Sequence, residues 1–210
     1  MNWDWIRSNV PAIVDATIDH LILTLIAVGV GFLISFAFAL VIYRDRRAFG
    51  PLAGFAGIVY TIPSLALLAF LVPFTGLSVL TAEIALVGYT LLILTRSIVG
   101  GFDAGPPDIS EAANGMGYAW RGRLLRVDLP LAMPLIIAGL RVATVTTVGL
   151  VMVTAVIGEG GLGQLMLRGF NFRNTTAVYV GAIMTVALAI VLDMAILALG
   201  RLATPWTRQR

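Results

Sequence analysis

Sorted into apolar and polar positions, the chain resolves into five long apolar runs joined by shorter polar links. The runs are Leu21–Ile42, Leu52–Phe74, Leu77–Thr95, Leu131–Ile157 and Thr176–Gly200. A helix crosses the roughly 30 Å of bilayer hydrocarbon in about 17–25 residues, so each run is long enough to span. No alternating strand pattern and no repeat of solenoid length accompanies them. The pattern predicts an all-α, polytopic helical membrane protein with about five transmembrane helices. Residues 1–20 carry Trp3, Trp5, Asp4, Arg7, Asp15 and Asp19, too polar for a signal-peptide core. Paired tryptophans favour the membrane–water boundary, which makes this stretch an interfacial segment. The transmembrane domain is then residues 21–202, followed by a short tail, 203–210.

The longest polar interruption is Asp108–Pro130, DISEAANGMGYAWRGRLLRVDLP. Pro106 and Pro107 stop any helix arriving from upstream, because proline lacks an N–H and clashes with the preceding turn. Asp108 stands three residues before Glu111, the spacing of a capping box, so Ile109–Asn114 reads as a short helix. Gly115 and Gly117 end it, since glycine tolerates the backbone angles of a helix terminus. Ala119–Val127 reads as a second short helix, stopped by Asp128 and Pro130. A compact, charged helix–turn–helix between two spans is suited to docking on something soluble.

Composition changes the picture in three ways. Hydrophobic residues make up 59% and charged residues only 12%, which excludes an ordinary soluble domain, where about a quarter of residues are charged. The net charge of +3 is not gathered into a nucleic-acid patch; all fourteen basic residues are arginine, and all but Arg141 sort by membrane side. Ten follow the first, third and fifth runs (Arg44, Arg46, Arg47, Arg96, Arg121, Arg123, Arg126, Arg201, Arg208, Arg210), against Arg7, Arg168 and Arg173 on the other side. The positive-inside rule puts the N-terminus outside, with the 108–130 loop and the C-terminus in the cytoplasm. Cysteine is absent, so disulfides and thiol catalysis are excluded.

Within the runs, Thr61-Ile62-Pro63-Ser64 marks a bend, with the two hydroxyls able to recapture freed carbonyls. Arg141 lies deep in the fourth run, where it must snorkel, pair or meet substrate. Glu83 and Asp193 read as interfacial charges near run ends. Gly158-Glu159-Gly160-Gly161-Leu162-Gly163 cannot hold a stable helix and reads as a tight, re-entrant type of turn; no strand precedes it, so it is not a phosphate loop. His20 is the single histidine, with no second ligand beside it, and reads as an interfacial polar residue; no metal or cofactor site is expected. Phe32, Phe36, Phe38, Tyr60, Phe70 and Tyr89 are scattered as packing residues rather than as an aromatic cage.

Glu111-Ala112-Ala113, three residues, Gly117, nine residues, Val127, one residue and Leu129-Pro130 together resemble the EAA motif of ABC importer permeases. Valine stands at 127 where that family usually has isoleucine. TIPSLALLAFLVP resembles the matching segment of the branch that imports glycine betaine, choline, carnitine and related osmoprotectants. The glycines of 158–163 match the family's outer-mouth stretch, with Glu159 departing from the usual alanine. The resemblance implies a permease subunit, without an ATPase site of its own. Its partners would be a cytoplasmic ATPase, a second permease (same or related chain) and an extracytoplasmic substrate-binding protein. It implies ATPase coupling for Glu111, Ala112, Ala113, Gly117, Arg121, Leu129 and Pro130. It implies pathway roles for Thr61, Pro63, Ser64, Gly158, Glu159, Gly160 and Gly161. A secondary transporter or channel, a permease for another small solute such as an amino acid, and a non-transporting membrane scaffold are the alternatives. The first lacks the paired intramembrane charges that coupling usually needs. The orientation has a direct check: a reporter inserted near Asn171 is expected outside and one fused after Arg210 inside, and finding both on one side would overturn the topology.

Overall fold

A computed structural model describes residues 1–206; Arg208 and Arg210, and with them half of the tail, lie outside the described residues. Helix α1 (Trp3–Ser8) is followed by α2 (Val10–Arg44), α3 (Phe49–Thr61), α4 (Ser64–Thr75) and α5 (Val79–Asp103). Then come α6 (Pro107–Gly115), α7 (Trp120–Arg123), α8 (Leu129–Val151), α9 (Leu162–Asn171) and α10 (Thr175–Ala203). Among the described residues, four helical bodies are long and apolar enough to cross a membrane singly: α2, α5, the continuous stretch Trp120–Ile157 that contains α8, and α10.

The remaining crossing is broken. Arg46–Thr61 and Ser64–Thr75 meet at 97°, so the expected bend in Leu52–Phe74 is a break between two helices. Ile62 and Pro63 are extended at the junction, because the residue before a proline is pushed out of the helical region. Leu52 packs in the apolar cluster of Ala39, Ile42, Ile98, Val99, Ala132 and Ile136. Leu68, Leu71 and Val72 of α4 pack with Ala82, Ala85 and Ile157. These two clusters lie at opposite ends of α5 and α8, so α3 and α4 together traverse the layer. The end bearing the α6–α7 loop is called here the loop end, and the opposite one the far end.

Helix α2 also departs from expectation. It runs unbroken for 35 residues, about 50 Å, and starts at Val10 rather than at Leu21. Asp15, Asp19 and His20 lower the hydropathy but do not disfavour helix enough to end one. Only α1 is a separate element; Asn2 caps it by accepting from the Trp5 N–H at 3.1 Å, and the Asn2 N–H donates to Thr176 Oγ1 at 3.0 Å. The N-terminus is thereby folded onto the start of α10.

Packing between spans relies on small residues, as expected where lipid offers no hydrophobic drive for helix association. A Cβ at Gly31 of α2 would fall 1.8 Å from Thr90 Oγ1 of α5, and one at Gly139 of α8 would fall 2.2 Å from Ser97 Cβ of α5. Helix α5 sits between its neighbours at these two contacts, and its buried face includes Leu86, Leu94 and Ile98. Gly31→Ile and Gly139→Ile are each expected to destabilise the purified protein by about 1–3 kcal/mol, by the usual cost of overpacking. Thermal melts check this, with Gly29→Ala, where nothing lies within 4 Å, expected to be silent.

Candidate functional site

At the loop end, α6 opens on Pro107, a residue suited to the first helical position because its missing N–H would be unpaired there anyway. Starting this early places Asp108 inside the first turn, so the expected capping box with Glu111 does not form, and no side chain caps the helix. The helix C-terminus follows the sequence closely. The Gly117 N–H donates to Asn114 O at 3.0 Å and the Tyr118 N–H to Ala113 O at 3.1 Å, the paired bonds of a Schellman terminus. Gly117 has φ +80°, the left-handed conformation that this motif demands. A Cβ there would meet nothing within 4 Å, so a substitution suffers backbone strain and no clash.

The second helix of the loop is not the separate Ala119–Val127 element expected. Helix α7 passes into a wide π turn, Leu124–Asp128, and on into α8 without a stop. Pro130 is the reason. It cannot donate to a carbonyl one turn back and its ring crowds that carbonyl, whereas the wider turn lets the Leu129 N–H reach Leu124 O. Asp128, read from sequence as part of the stop, is instead the centre of a polar network and nearly buried. Its Oδ2 accepts from the Tyr43 hydroxyl of α2 and from Arg123 Nε at 3.0 Å. Arg123 Nη1 donates to Asn114 Oδ1 of α6 at 3.1 Å, and its guanidinium lies 5.8 Å from the Tyr43 ring centre. Arg46 pairs with Asp103 nearby, and Trp120 is flanked by the guanidinium groups of Arg44 at 5.6 Å and Arg121 at 5.2 Å. No sequence spacing announces the Tyr43–Asp128 contact, because its partners are 85 residues apart.

Of the residues expected to couple, Ala113 is buried, Leu129 and Pro130 are half-buried, and Glu111, Ala112, Gly117 and Arg121 are exposed. Among the described residues Glu111 makes no hydrogen bond or ion pair. Around it the loop exposes Ile109, Met116 and Leu125, apolar side chains that water does not favour. The structure thus presents an apolar-and-charged surface held from behind by the Asp128 network.

The far end contains the glycine turn. Gly158, Gly160 and Gly161 have φ of +90°, +124° and +50°. At Gly161 a Cβ would fall 2.3 Å from Ala16 O and 2.6 Å from His20 N, so the turn lies directly on the α2 backbone. His20 is fully buried beside it and not interfacial, its Nε2–H directed to Val148 O at 3.0 Å. Glu159 is half-exposed, and Gln164 Nε2 donates to Gly158 O. The broken span finds different partners. Thr61 Oγ1 donates to Ile58 O at 2.8 Å, and the Tyr89 hydroxyl of α5 donates to the Ile62 carbonyl freed by the break. Thr61 and Pro63 are exposed and Ser64 half-buried. The two expected pathway stretches therefore sit on different neighbours, one on α5 and one on α2.

Two charges read as interfacial are paired with or buried in the protein. Asp193 of α10 takes a bidentate pair with Arg141 of α8, both bonds 2.7 Å long, which makes Arg141 a structural pair. Glu83 is buried, and neither of its oxygens has a hydrogen-bond partner among the described residues.

Residues 27–208 match the family of binding-protein-dependent transport system inner membrane components. The chain belongs to this family. This permease component is 35% identical over 206 residues to the osmoprotectant import permease protein OsmW of Salmonella typhimurium, covering 96% of each chain. It is 32% identical to the choline transport system permease protein OpuBB of Bacillus subtilis, covering 98% of this chain and 95% of that one. Among solved structures, the inward-facing MetNI methionine ABC transporter matches with a TM-score of 0.86 at 21% identity, over 97% of this chain and 100% of that one. That likeness establishes the permease fold.

Removing the Asp128 carboxylate strands Tyr43 and Arg123. Asp128→Ala is expected to cost about 2 kcal/mol and to loosen the loop, and Asp128→Asn less, because an amide oxygen still accepts. Limited trypsin digestion checks it: cleavage at Arg121, Arg123 and Arg126 should quicken in the alanine variant.

Proposed function

We propose that this chain is the membrane-spanning subunit of an ATP-driven importer for a quaternary-ammonium osmoprotectant, of the glycine betaine, choline and carnitine kind. The observation that carries the reading is whole-length similarity to permeases named for those solutes, at 31–35% identity. A cytoplasmic ATPase and an external substrate-binding protein complete the machine, with a second permease subunit facing this one across the pathway. Residues 21–202 act as the transmembrane domain in a bacterial inner membrane, with the loop end cytoplasmic and 203–210 as a cytoplasmic tail.

In this reading α6 and α7 dock on the ATPase. Glu111 and Arg121 supply exposed charges, and Ile109, Met116 and Leu125 supply apolar contact area. Support comes from what the loop is built of. An exposed apolar surface on a water-facing loop is unfavourable unless covered. The Asp128 network ties that surface to α2 and α8, so ATPase movement reaches the spans through side chains already in contact. Coupling of this sort is reciprocal, and the cavity's state biases the ATPase in return.

Gly117→Asp forces a side chain into the left-handed region at a cost of about 1–2 kcal/mol and adds a charge to the docking face. Glu111→Ala changes an exposed residue without hydrogen bonds and should alter stability by roughly 0.5 kcal/mol or less. Both variants are expected to insert normally, while Gly117→Asp loses more of the co-purifying ATPase and more uptake than Glu111→Ala. Full ATPase retention and full uptake by Gly117→Asp would mean that energy enters elsewhere.

A further inference from the structure

Helix α2 ends at Arg44, whose guanidinium lies 5.6 Å from the centre of the Trp120 ring, and that of Arg121 lies 5.2 Å from the same ring. Arg46, Arg123 and Arg141 each hold a carboxylate, but among the described residues Arg44 and Arg121 hold none. Two exposed cations beside one indole, with no acid to neutralise them, attract an anion. All three side chains line a cavity of about 330 Å³ whose other walls are Leu40, Val41, Leu124 and Leu125. Arg44 and Trp120 also line a second cavity of about 390 Å³, with Tyr43, Asn114 and Arg123. The first is apolar apart from its guanidinium groups, and the second is polar.

Leu40 and Val41 stand about one turn, or 5 Å, before Arg44 in a spanning helix, so the apolar cavity reaches hydrocarbon depth while the polar one lies at the loop. Val41 and Leu125 are exposed at its rim. A phospholipid has the same order of parts: acyl chain, phosphodiester, polar headgroup. Guanidinium groups fit phosphate oxygens, tryptophan favours the membrane boundary, and basic clusters beside a span attract anionic lipid. We propose that Arg44, Trp120 and Arg121 form a binding site for one anionic phospholipid, of the phosphatidylglycerol type, drawn from the leaflet at the loop end. No carboxylate lines either cavity to receive the ammonium of a zwitterionic headgroup, and Asn114 Oδ1 is already taken by Arg123. A soluble partner does not reach the depth of Leu40. The site goes beyond the transport reading and holds whatever solute is carried, needing only that the loop end lie at a membrane surface. Its occupant would tie the end of α2 to α7, beside the surface proposed for the ATPase.

Photolabelling of the transporter assembled with its ATPase tests this. The complex is placed in phosphatidylcholine nanodiscs containing a minor share of phosphatidylglycerol with a photoreactive acyl chain, and cross-links are mapped by mass spectrometry. They are expected on residues 40–44 and 120–125. Unlabelled phosphatidylglycerol should compete them away, whereas phosphatidylethanolamine and inorganic phosphate should not. Arg44→Gln should lower labelling about fivefold, the scale of one basic side chain at an anionic surface. Arg44→Lys keeps the charge and should stay within about twofold of wild type. Arg47→Gln should be silent, because it removes an exposed arginine that lines neither cavity. Equal competition by phosphatidylethanolamine would mean that any lipid fits, and displacement by inorganic phosphate that the anion alone binds. Equal loss in Arg44→Gln and Arg47→Gln would mean diffuse surface charge, and equal loss in Arg44→Gln and Arg44→Lys that charge does not hold the lipid. Labelling that appears only once the ATPase is removed would mean that the ATPase fills the cavity. Each of these results overturns the proposal.

Discussion

A backbone carbonyl or N–H left unpaired in hydrocarbon costs several kcal/mol, so a membrane helix can be interrupted only where something takes up the freed group. Each interruption in this chain obeys that constraint, and each uses a different neighbour. At Ile62–Pro63 the freed carbonyl is taken by the Tyr89 hydroxyl, and Thr61 turns its own hydroxyl back onto Ile58. Ahead of Pro130 the helix widens for one turn, so that the Leu129 N–H finds a carbonyl despite the proline behind it. At the glycine turn the chain lies on the backbone of α2 in conformations that glycine alone adopts readily. The irregular stretches are therefore the ones most tightly bound to their surroundings.

The polar side chains follow the same logic. Arg141 and Asp193 satisfy one another, half-exposed, between α8 and α10, and Asp128 gathers Tyr43 and Arg123 at the loop end. Each arrangement joins two helices whose apolar contacts alone would leave their relative position loosely specified. Glu83 stands apart from this pattern as a buried acid whose oxygens have no hydrogen-bond partner among the described residues.

Hydropathy was enough to reveal the spanning helices, the all-α class and the polar loop, because apolar runs of that length satisfy their backbone in lipid only as helices. Gly117 was legible for a local reason, since only a few residues separate the groups that form a helix terminus. What the sequence hid depended on contacts between distant segments. Nothing near Asp128 points to Tyr43, and nothing near Asp193 points to Arg141, 52 positions away. The capping box failed because Pro107 started the helix one residue before Asp108, a contest between two local signals in which the proline prevailed. His20 was misplaced for a related reason: the polar start of α2 looked like surface until the glycine turn was seen to cover it.

The Asp128 network and the Arg141–Asp193 pair sit at different heights along the same helical body. One fastens its loop end to α2 and to the α6–α7 loop, and the other fastens its middle to α10. A rod clamped at two points cannot slide lengthwise without breaking a clamp, and it cannot tilt about one clamp without straining the other. The length beyond the second clamp carries neither restraint. There the helical body is held chiefly by apolar contact, Val151 against Leu86 of α5 and Ile157 against Leu68 of α4.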